Sequence, residues 1–308
     1  MRKNDIFICF SSGSKRHVGK VAFIESDTDY YAGGFMGIIR CSENINPKYL
    51  YCILNSDKLR QIISSESTGG NIQNLSNKIL QIKIPIPPPD VQRDIVIEYE
   101  NIERDYNSIS KSIEEYQKKI DALYEQLYVV TQNSSGHKLT LSDKTCFTVS
   151  IGKRVLNSEL IADGSIPVFS ANVFEPFGFT DKLLIDDFSM DSILWGIDGD
   201  WMVNFYAKDN KFYPTDHCGV LRVITDKVHP RYMAKILEDE GKKMSFSRTY
   251  RASIDRIESI SFNVPSYEIQ KDAMDQVTEF ESRISELEHA LSSLDIKKSE
   301  IISSYLNP

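Results

Sequence analysis

"GFMGIIRCSENINPKYLYCIL" (Gly34 to Leu54) and "DHCGVLRVITDKVHPRYMAKIL" (Asp216 to Leu237) lie about 180 residues apart and follow one plan. Gly37 aligns with Gly219, Arg40 with Arg222 and Pro47 with Pro230. Each stretch reads as a strand, a turn and a helix that opens on the proline, whose missing amide hydrogen is no loss at that position. Repetition over such an interval marks a duplicated structural unit. Further out, "NKILQIKIPIPPPDVQ" (Asn77 to Gln92) answers "DRIESISFNVPSYEIQ" (Asp255 to Gln270), pairing Ile79 with Ile257, Pro87 with Pro265 and Gln92 with Gln270. The alternation of Ile82, Ile84 and Ile86 predicts a half-buried strand that stops at proline.

A long helical pattern follows each of these prolines. Ile102, Tyr106, Ile109, Ile113, Tyr116, Ile120, Leu123, Leu127 and Val130 step by four and three without a break. Phe280, Ile284, Leu287, Leu291, Leu294, Lys298, Ile301 and Tyr305 repeat that rhythm, with one lysine out of character. Such a period with polar flanks is a coiled-coil seam. A single amphipathic helix of this kind equally packs on its own domain; two of them, one after each globular copy, favour pairing with each other. Lys298 then takes a seam position, where it sets register at some cost in stability. Between the first helix and the second copy, "TQNSSGHK" (Thr131 to Lys138) is small and polar, as a linker should be.

The chain has 308 residues, enough for two cores that fold without staples. No apolar run approaches a membrane span, and the apolar character of "MRKNDIFICFSSGS" is too short for a secretory signal, so a cytoplasmic protein is expected. Cys9, Cys41, Cys52, Cys146 and Cys218 form an odd set without a C-x-x-C pair, which argues for reduced thiols over disulfides or zinc. A net charge of -8 opposes nonspecific attraction to nucleic acid, so any such contact must come from local basic patches.

Catalytic signatures are missing: there is no G-x-x-x-x-G-K-[ST] loop for a nucleoside triphosphate and no H-E-x-x-H metal helix. Asn46-Pro47-Lys48-Tyr49 lacks the second proline of an adenine methyltransferase tetrad and reads as a helix start. Asp216-His217-Cys218 reads as a turn or core segment, since adjacent residues rarely form a triad. Trp195 to Trp201, "WGIDGDW", reads as a strand entering an Asp-Gly turn, with Ser12-Gly13 as the first-copy counterpart of Asp198-Gly199 and both tryptophans in packing roles.

Basic residues cluster where acids are lacking. "SSGSKRHVGK" carries Ser14, Lys15, Arg16 and Lys20, and "GKKMSFSRTYRASI" (Gly241 to Ile254) carries Lys242, Lys243, Arg248, Tyr250 and Arg251. Arg and Lys in such loops neutralise phosphates, while Arg, Asn and Tyr reach base edges. The first-copy partner of the second cluster, "SSESTGGNIQNLSN" (Ser64 to Asn77), replaces the arginines by Thr68, Asn71, Gln73 and Asn74. One loop position with two chemistries fits two different sequences being read. Lys153, Arg154 and Asn172 are further candidates by chemistry and loop position; solvated loops on an acidic protein are the bland alternative.

On "DIFICFSSGSKRHVGKVAF", the paired "IPIPPPDVQ" and "FNVPSYEIQ" followed by helices, "GSIPVFSANVF" (Gly164 to Phe174) and "SILWGIDGDW", the chain resembles the specificity subunits of type I restriction-modification systems. The likeness lies in the duplicated order and extends over essentially the whole chain. It implies an α+β protein: two globular target recognition domains of mixed strands and short helices, separated by two long helices forming an antiparallel coiled coil. Residues 1–92 would be the first recognition domain, 93–130 the first long helix, 131–137 a linker, 138–270 the second recognition domain and 271–308 the second long helix. The second domain has about 55 residues, Lys138 to Asp191, before "SILWGIDGDW", and the first almost none before "DIFICFSSGS", so a first domain shortened by about a third is expected.

The resemblance further implies a non-catalytic subunit that reads one half of a bipartite site on double-stranded DNA with each domain. Methylation and cleavage would belong to DNA adenine methyltransferase subunits and a restriction and translocation subunit. S-adenosylmethionine and ATP would sit in those partners, with no cofactor in this chain. A helix of about 30 residues spans about 45 Å, or about 13 base pairs, so half-sites about a turn apart are within reach. A silent recombination cassette, a degenerate gene, a fragment completed by another chain, and a coiled-coil interaction protein remain open as alternatives.

Overall fold

In "IFIC" alternate side chains turn inward, with Ile6 and Ile8 fully enclosed, so the stretch forms β1 (Ile6–Cys9) with one face on a core. The computed structural model describes residues 1–65, 67–68, 73–75, 81–133 and 137–306. It divides into a first unit, Met1–Tyr116 with the chain from Arg283 onward, and a second unit, Gln117–Ser282. After β1 come β2 (Ser11–Ser12), β3 (Val21–Phe23), β4 (Met36–Ile39), α1 (Pro47–Leu54), α2 (Asp57–Ser65), β5 (Ser67–Thr68) and β6 (Gln73–Leu75). They make two antiparallel sheets, ordered β3-β1-β4 and β2-β6-β5. Tyr49, Leu50 and Ile53 of α1 and Leu59 and Ile63 of α2 close over Ile6, together with Ile95, Val96 and Tyr99 of the long helix α3 (Pro89–Asn133).

The second unit holds β7 (His137–Thr140), β8 (Phe147–Ile151), β9 (Ile166–Phe169), β10 (Gly178–Thr180), β11 (Ser192–Gly196), β12 (Val203–Tyr206), β13 (Tyr213–Pro214), β14 (Cys218–Val223), α4 (Pro230–Met244), α5 (Ile254–Glu258) and β15 (Ser261–Val264). Its main sheet runs β12-β11-β14-β8, and every residue of the central strand β11 is buried. Smaller sheets are β10-β9-β13 and β15-β7. The second long helix is α6 (Tyr267–Leu306).

The duplication holds at the level of single bonds. β1 lies between β3 and β4 as β11 lies between β12 and β14, with Ile8 opposite Gly37 and Trp195 opposite Gly219. Both glycines yield their space to an aromatic ring: a Cβ on Gly37 would meet Phe10 at 1.7 Å, and one on Gly219 would meet Trp195 at 2.1 Å. Arg40 binds the buried Asp5 carboxylate through Nε and an amino group, at 2.7 and 2.8 Å, and holds it at about 2 against an ordinary 3.8. Arg222, at the same place, donates to Ser192 Oγ and to the Asp187 carbonyl. Pro47 and Pro230 open α1 and α4.

Gln92 and Gln270, 1% and 0% exposed, do one job twice. Gln92 Oε1 accepts from the Asn46 amide at 2.8 Å while Nε2 donates to the carbonyls of Asn44 and Pro87. Gln270 Oε1 accepts from the His229 amide at 3.0 Å while Nε2 donates to the carbonyls of Lys227 and Pro265. Asn46 and His229 are the N-cap residues of α1 and α4. Each long helix is thus pinned, by its first turns, to the start of the helix that packs on the sheet.

All nine apolar seam positions on α3, Ile102 to Val130, are buried or half-buried. On α6, Phe280 to Ile301 are half-buried at their seam positions, and the side chain of Tyr305 lies outside the described residues. In the first unit Lys298 Nζ donates to Glu103 and sits 4.7 Å from the Tyr99 ring centroid, while the later Ile301 packs against the core cluster to which the earlier α3 residues Ile95, Val96 and Tyr99 belong, as in an antiparallel pair. Burial opposes the charge of Lys298, but Glu103 and Tyr99 outweigh it and raise its pKa. The seam lysine therefore has a specific partner, as a register-setting residue needs.

Three expectations are corrected. Ile82, Ile84 and Ile86 form no strand: residues 82–88 carry no regular structure and Ile86 is 56% exposed. In the second unit the matching β15 pairs with β7, and β7 has no counterpart among the described strands of the first. Cys9 lies opposite Met36 as Gly196 lies opposite Cys218, so Asp198 and Gly199 match Ser11 and Ser12, one residue earlier than sequence alignment placed them. Gly199 has a positive φ of 89°, which a tight turn demands, whereas Ser12 has none and the first unit carries positive φ at Asn4 and Gly19 instead. Thr131 to Asn133 continue α3, because the Thr131 hydroxyl donates to the Leu127 carbonyl within the helix and needs no solvent. Ile79 and residues 134–136 lie outside the described residues.

Gln270→Ala strips three backbone groups of their partner and will cost on the order of 3 kcal/mol. Both tryptophans of the chain lie in the second unit. Denaturation followed by tryptophan fluorescence will therefore shift to lower denaturant for Gln270→Ala, and by less for Gln92→Ala.

Candidate nucleic-acid interface

The structure separates the basic residues of Gly241 to Ile254 into two surfaces. Lys242 and Lys243 occupy the last turn of α4, where cations suit the helix dipole. Lys242 pairs with Glu238 and Lys243 with Glu240 at 2.6 Å, so acids just upstream of the acid-free window offset both charges. With Tyr124, Tyr128, Lys235 and Asn263 they line a cavity of about 540 Å³. The α4 helix ends at Ser245 in a left-handed conformation, φ 57°, and the chain then leaves in a different direction.

Arg248, Tyr250 and Arg251 lie on the exposed loop that follows. Aromatic contacts organise it: Phe246 lies 5.0 Å from Trp201 and 5.7 Å from Tyr250, nearly parallel to the latter, and the Arg256 guanidinium sits 3.9 Å from the Tyr250 ring centroid. Tyr250 is thereby held by its ring while remaining 40% exposed. Arg256 also donates to the Arg251 carbonyl at 2.6 Å. Arg248 has no hydrogen bond or ion pair among the described residues. Arg251 lies 3.4 Å from Asp198, whose carboxylate oxygens are both 3.0 Å from His217 Nδ1.

His217 joins Arg154, Asn157, Ser170, Thr215 and Asp216 around a second cavity of about 590 Å³. Arg154 shares this cavity with His217, and an Arg251 amino group lies 3.5 Å from His217 Nδ1. Lys153 is exposed, and its amide donates to the Pro214 carbonyl. Asn172 spends its side-chain oxygen on the amides of Phe174 and Glu175, which makes it a turn residue. Cys218 is buried in β14 with its thiol pushed up to about 12, so Asp216-His217-Cys218 contains no nucleophile. Asp198 and His217 escaped sequence reasoning as site residues: 53 residues separate Asp198 from Arg251, and only the fold joins them.

In the first unit Lys15, Arg16 and Lys20 are exposed on the loop after β2 and Ser14 is half-buried. Lys15 and Arg16 line a cleft of about 490 Å³ with Asp57, Arg60 and Gln61. The backbone of Thr68 lies in β5 beside Asn74 of β6, and Asn74 lies beside Ser11 of β2. Asn71 lies outside the described residues. One small sheet therefore gathers both first-copy clusters.

The type I restriction modification DNA specificity domain matches this chain over residues 2–117 and 144–294. The chain belongs to that family. It is similar to the StySPI specificity subunit of Salmonella potsdam, 34% identical over 112 residues, which are 36% of this chain and 24% of that protein. It is 38% identical over 92 residues to the EcoKI specificity subunit of Escherichia coli strain K12, 30% of this chain and 20% of that protein. The matched stretches thus span about a quarter of these curated relatives or less. The S subunit of a type I restriction-modification system from M. genitalium shares the fold, with a TM-score of 0.68 at 17% identity, over 99% of this chain and 83% of that one. Among the described residues no helix is long and apolar enough to cross a membrane, and no cluster of metal-ligating side chains occurs.

Arg256→Ala removes both the cation over Tyr250 and the bond to the Arg251 carbonyl. Amide hydrogen exchange at residues 247–252 will accelerate, while exchange in β11 and β14 stays as it was.

Proposed function

We propose that this chain is a non-catalytic, cytoplasmic specificity subunit of a type I restriction-modification complex that binds double-stranded DNA sequence-specifically. It directs methylation and cleavage by partner subunits to a bipartite site. The observation that carries this reading is one framework used twice with different exposed loops. The buried residues at the strand pairings and the helix pins match, while the exposed loops of the two units differ in chemistry. Conserving scaffold and varying loop is what reading two half-sites requires. Membership of the specificity family supports the same assignment.

Each unit contributes its own contact surface: Lys15, Arg16 and Lys20 with Ser14 and Thr68 in the first, and Arg154, Lys153, Arg248, Tyr250 and Arg251 in the second. Lys242 and Lys243 join it only if DNA displaces Glu238 and Glu240, a small cost for exposed pairs. Partners are DNA adenine methyltransferase subunits and a restriction and translocation subunit. Those subunits carry S-adenosylmethionine and ATP.

The test is a pull-down of the tagged chain from its native cell extract, with mass spectrometry of what stays bound. Recovery of an adenine methyltransferase subunit is expected, and recovery of none would leave a silent cassette or a coiled-coil adaptor as the better account. In the recovered complex, affinity for duplex DNA will fall as salt rises. Arg248→Ala will make the logarithmic salt slope shallower by about 1, the signature of one lost phosphate contact. Binding that ignores salt would overturn this reading.

A further inference from the structure

Both units place a polar side chain at one equivalent exposed position, and we propose that this position reads a base edge: Arg251 a guanine in the second unit, Asn74 an adenine in the first. This deepens the DNA-recognition reading above and rests on it.

Main-chain bonds establish the equivalence. Counting from the paired glycines Gly37 and Gly219, Phe10 corresponds to Ile197 and Phe35 to His217. The Phe10 amide donates to the Phe35 carbonyl at 2.9 Å, and the Ile197 amide to the His217 carbonyl at 3.1 Å. The carbonyls of Phe10 and Ile197 accept from the incoming loop, from Leu75 at 2.7 Å and Ala252 at 2.8 Å. The residue before each loop donor is Asn74 in one unit and Arg251 in the other. The residue after each acceptor is Ser11 in one and Asp198 in the other. These side chains meet: Ser11 Oγ donates to Asn74 Oδ1 at 2.5 Å, and Arg251 lies 3.4 Å from Asp198 Oδ2. Reader and buttress have therefore changed together, hydroxyl with amide and carboxylate with guanidinium.

The chemistry of each pair leaves a recognition edge free. A guanidinium has five N–H donors in a planar fork; Asp198 takes one side, and another pair can meet O6 and N7 of guanine. An amide oxygen has two lone pairs; Ser11 takes one and orients the group, so the other lone pair and the NH₂ can meet N6 and N7 of adenine. Arg251 projects from a fixed backbone, since Ala252 is fully buried and its carbonyl accepts the Trp195 indole N–H at 3.0 Å. Its side chain is 49% exposed. The loop is already tied down by these backbone bonds, so the exposed pairs are not needed to hold it. Aspartate at 198 limits the wandering of a long side chain before any base arrives, which favours readout over a loose phosphate contact.

The experiment uses the full chain isolated from its own cells with whatever stays bound, and a randomised duplex DNA library whose retained members are sequenced. The unaltered chain is expected to enrich a motif in two parts. Arg251→Ala will lose one guanine preference by about tenfold or more, with the rest of the motif intact, and Arg251→Lys will lose it too for want of a fork. Asp198→Ala will relax that same position. Asn74→Ala and Ser11→Ala will relax one adenine in the other part. If Arg251→Ala and Asn74→Ala return the unaltered motif, or change a base of another kind, the assignment is wrong while the DNA-recognition reading stands. An unaltered chain that enriches no motif would overturn that reading and this assignment with it.

Discussion

A glutamine side chain with all its neighbours in place holds each unit together at its most vulnerable joint. Where the chain leaves an extended segment and turns into a long helix, carbonyl and amide groups are exposed to a dry environment, and each one left unmade costs about 1–3 kcal/mol. Gln92 and Gln270 satisfy three such groups apiece. Because one amide group both donates and accepts, it fixes the angle between a long helix and a globular core. Neither glutamate nor leucine does that.

On that rigid base the electrostatics are local. The chain is acidic as a whole, and some of its cations are already paired: the exposed Lys144, Lys182, Lys242, Lys243 and Lys271 and the half-buried Lys235 each have a carboxylate within about 3 Å. Pairing of this kind restrains indiscriminate attraction to phosphate. It leaves recognition to groups such as Arg248 and Lys15, which make no ion pair among the described residues.

The duplication was legible in the sequence because its markers are backbone requirements. Glycine under an aromatic ring, proline at a helix start and glutamine at a buried joint tolerate few replacements, so Gly37 and Gly219, Pro47 and Pro230, Gln92 and Gln270 could be aligned across some 180 residues. The seam was equally legible from its period. What sequence hid was partnership. Nothing in the acid-free string Gly241 to Ile254 reveals that Glu238 and Glu240 reach forward along the helix to its lysines. Alternation in Ile82 to Ile86 implied a strand, but a strand exists only where a neighbour offers a ladder, and among the described residues that neighbour occurs in the second unit alone. Asp198, His217 and Arg251 come from a turn, a strand edge and a loop, so their meeting depends on the fold.

The first unit is discontinuous: its core and its stretch of α3 are completed by α6 residues after Arg283, including Lys298 and Ile301. The second unit is drawn from one uninterrupted segment. During synthesis the second unit can therefore close first, while the earlier-made half waits with an apolar helix face uncovered until the α6 residues after Arg283 have left the ribosome. Order of manufacture and order of folding are inverted. A chain cut short in α6 after Ser282 would thus spare the later-made unit and leave the earlier-made one exposed to chaperones and proteases.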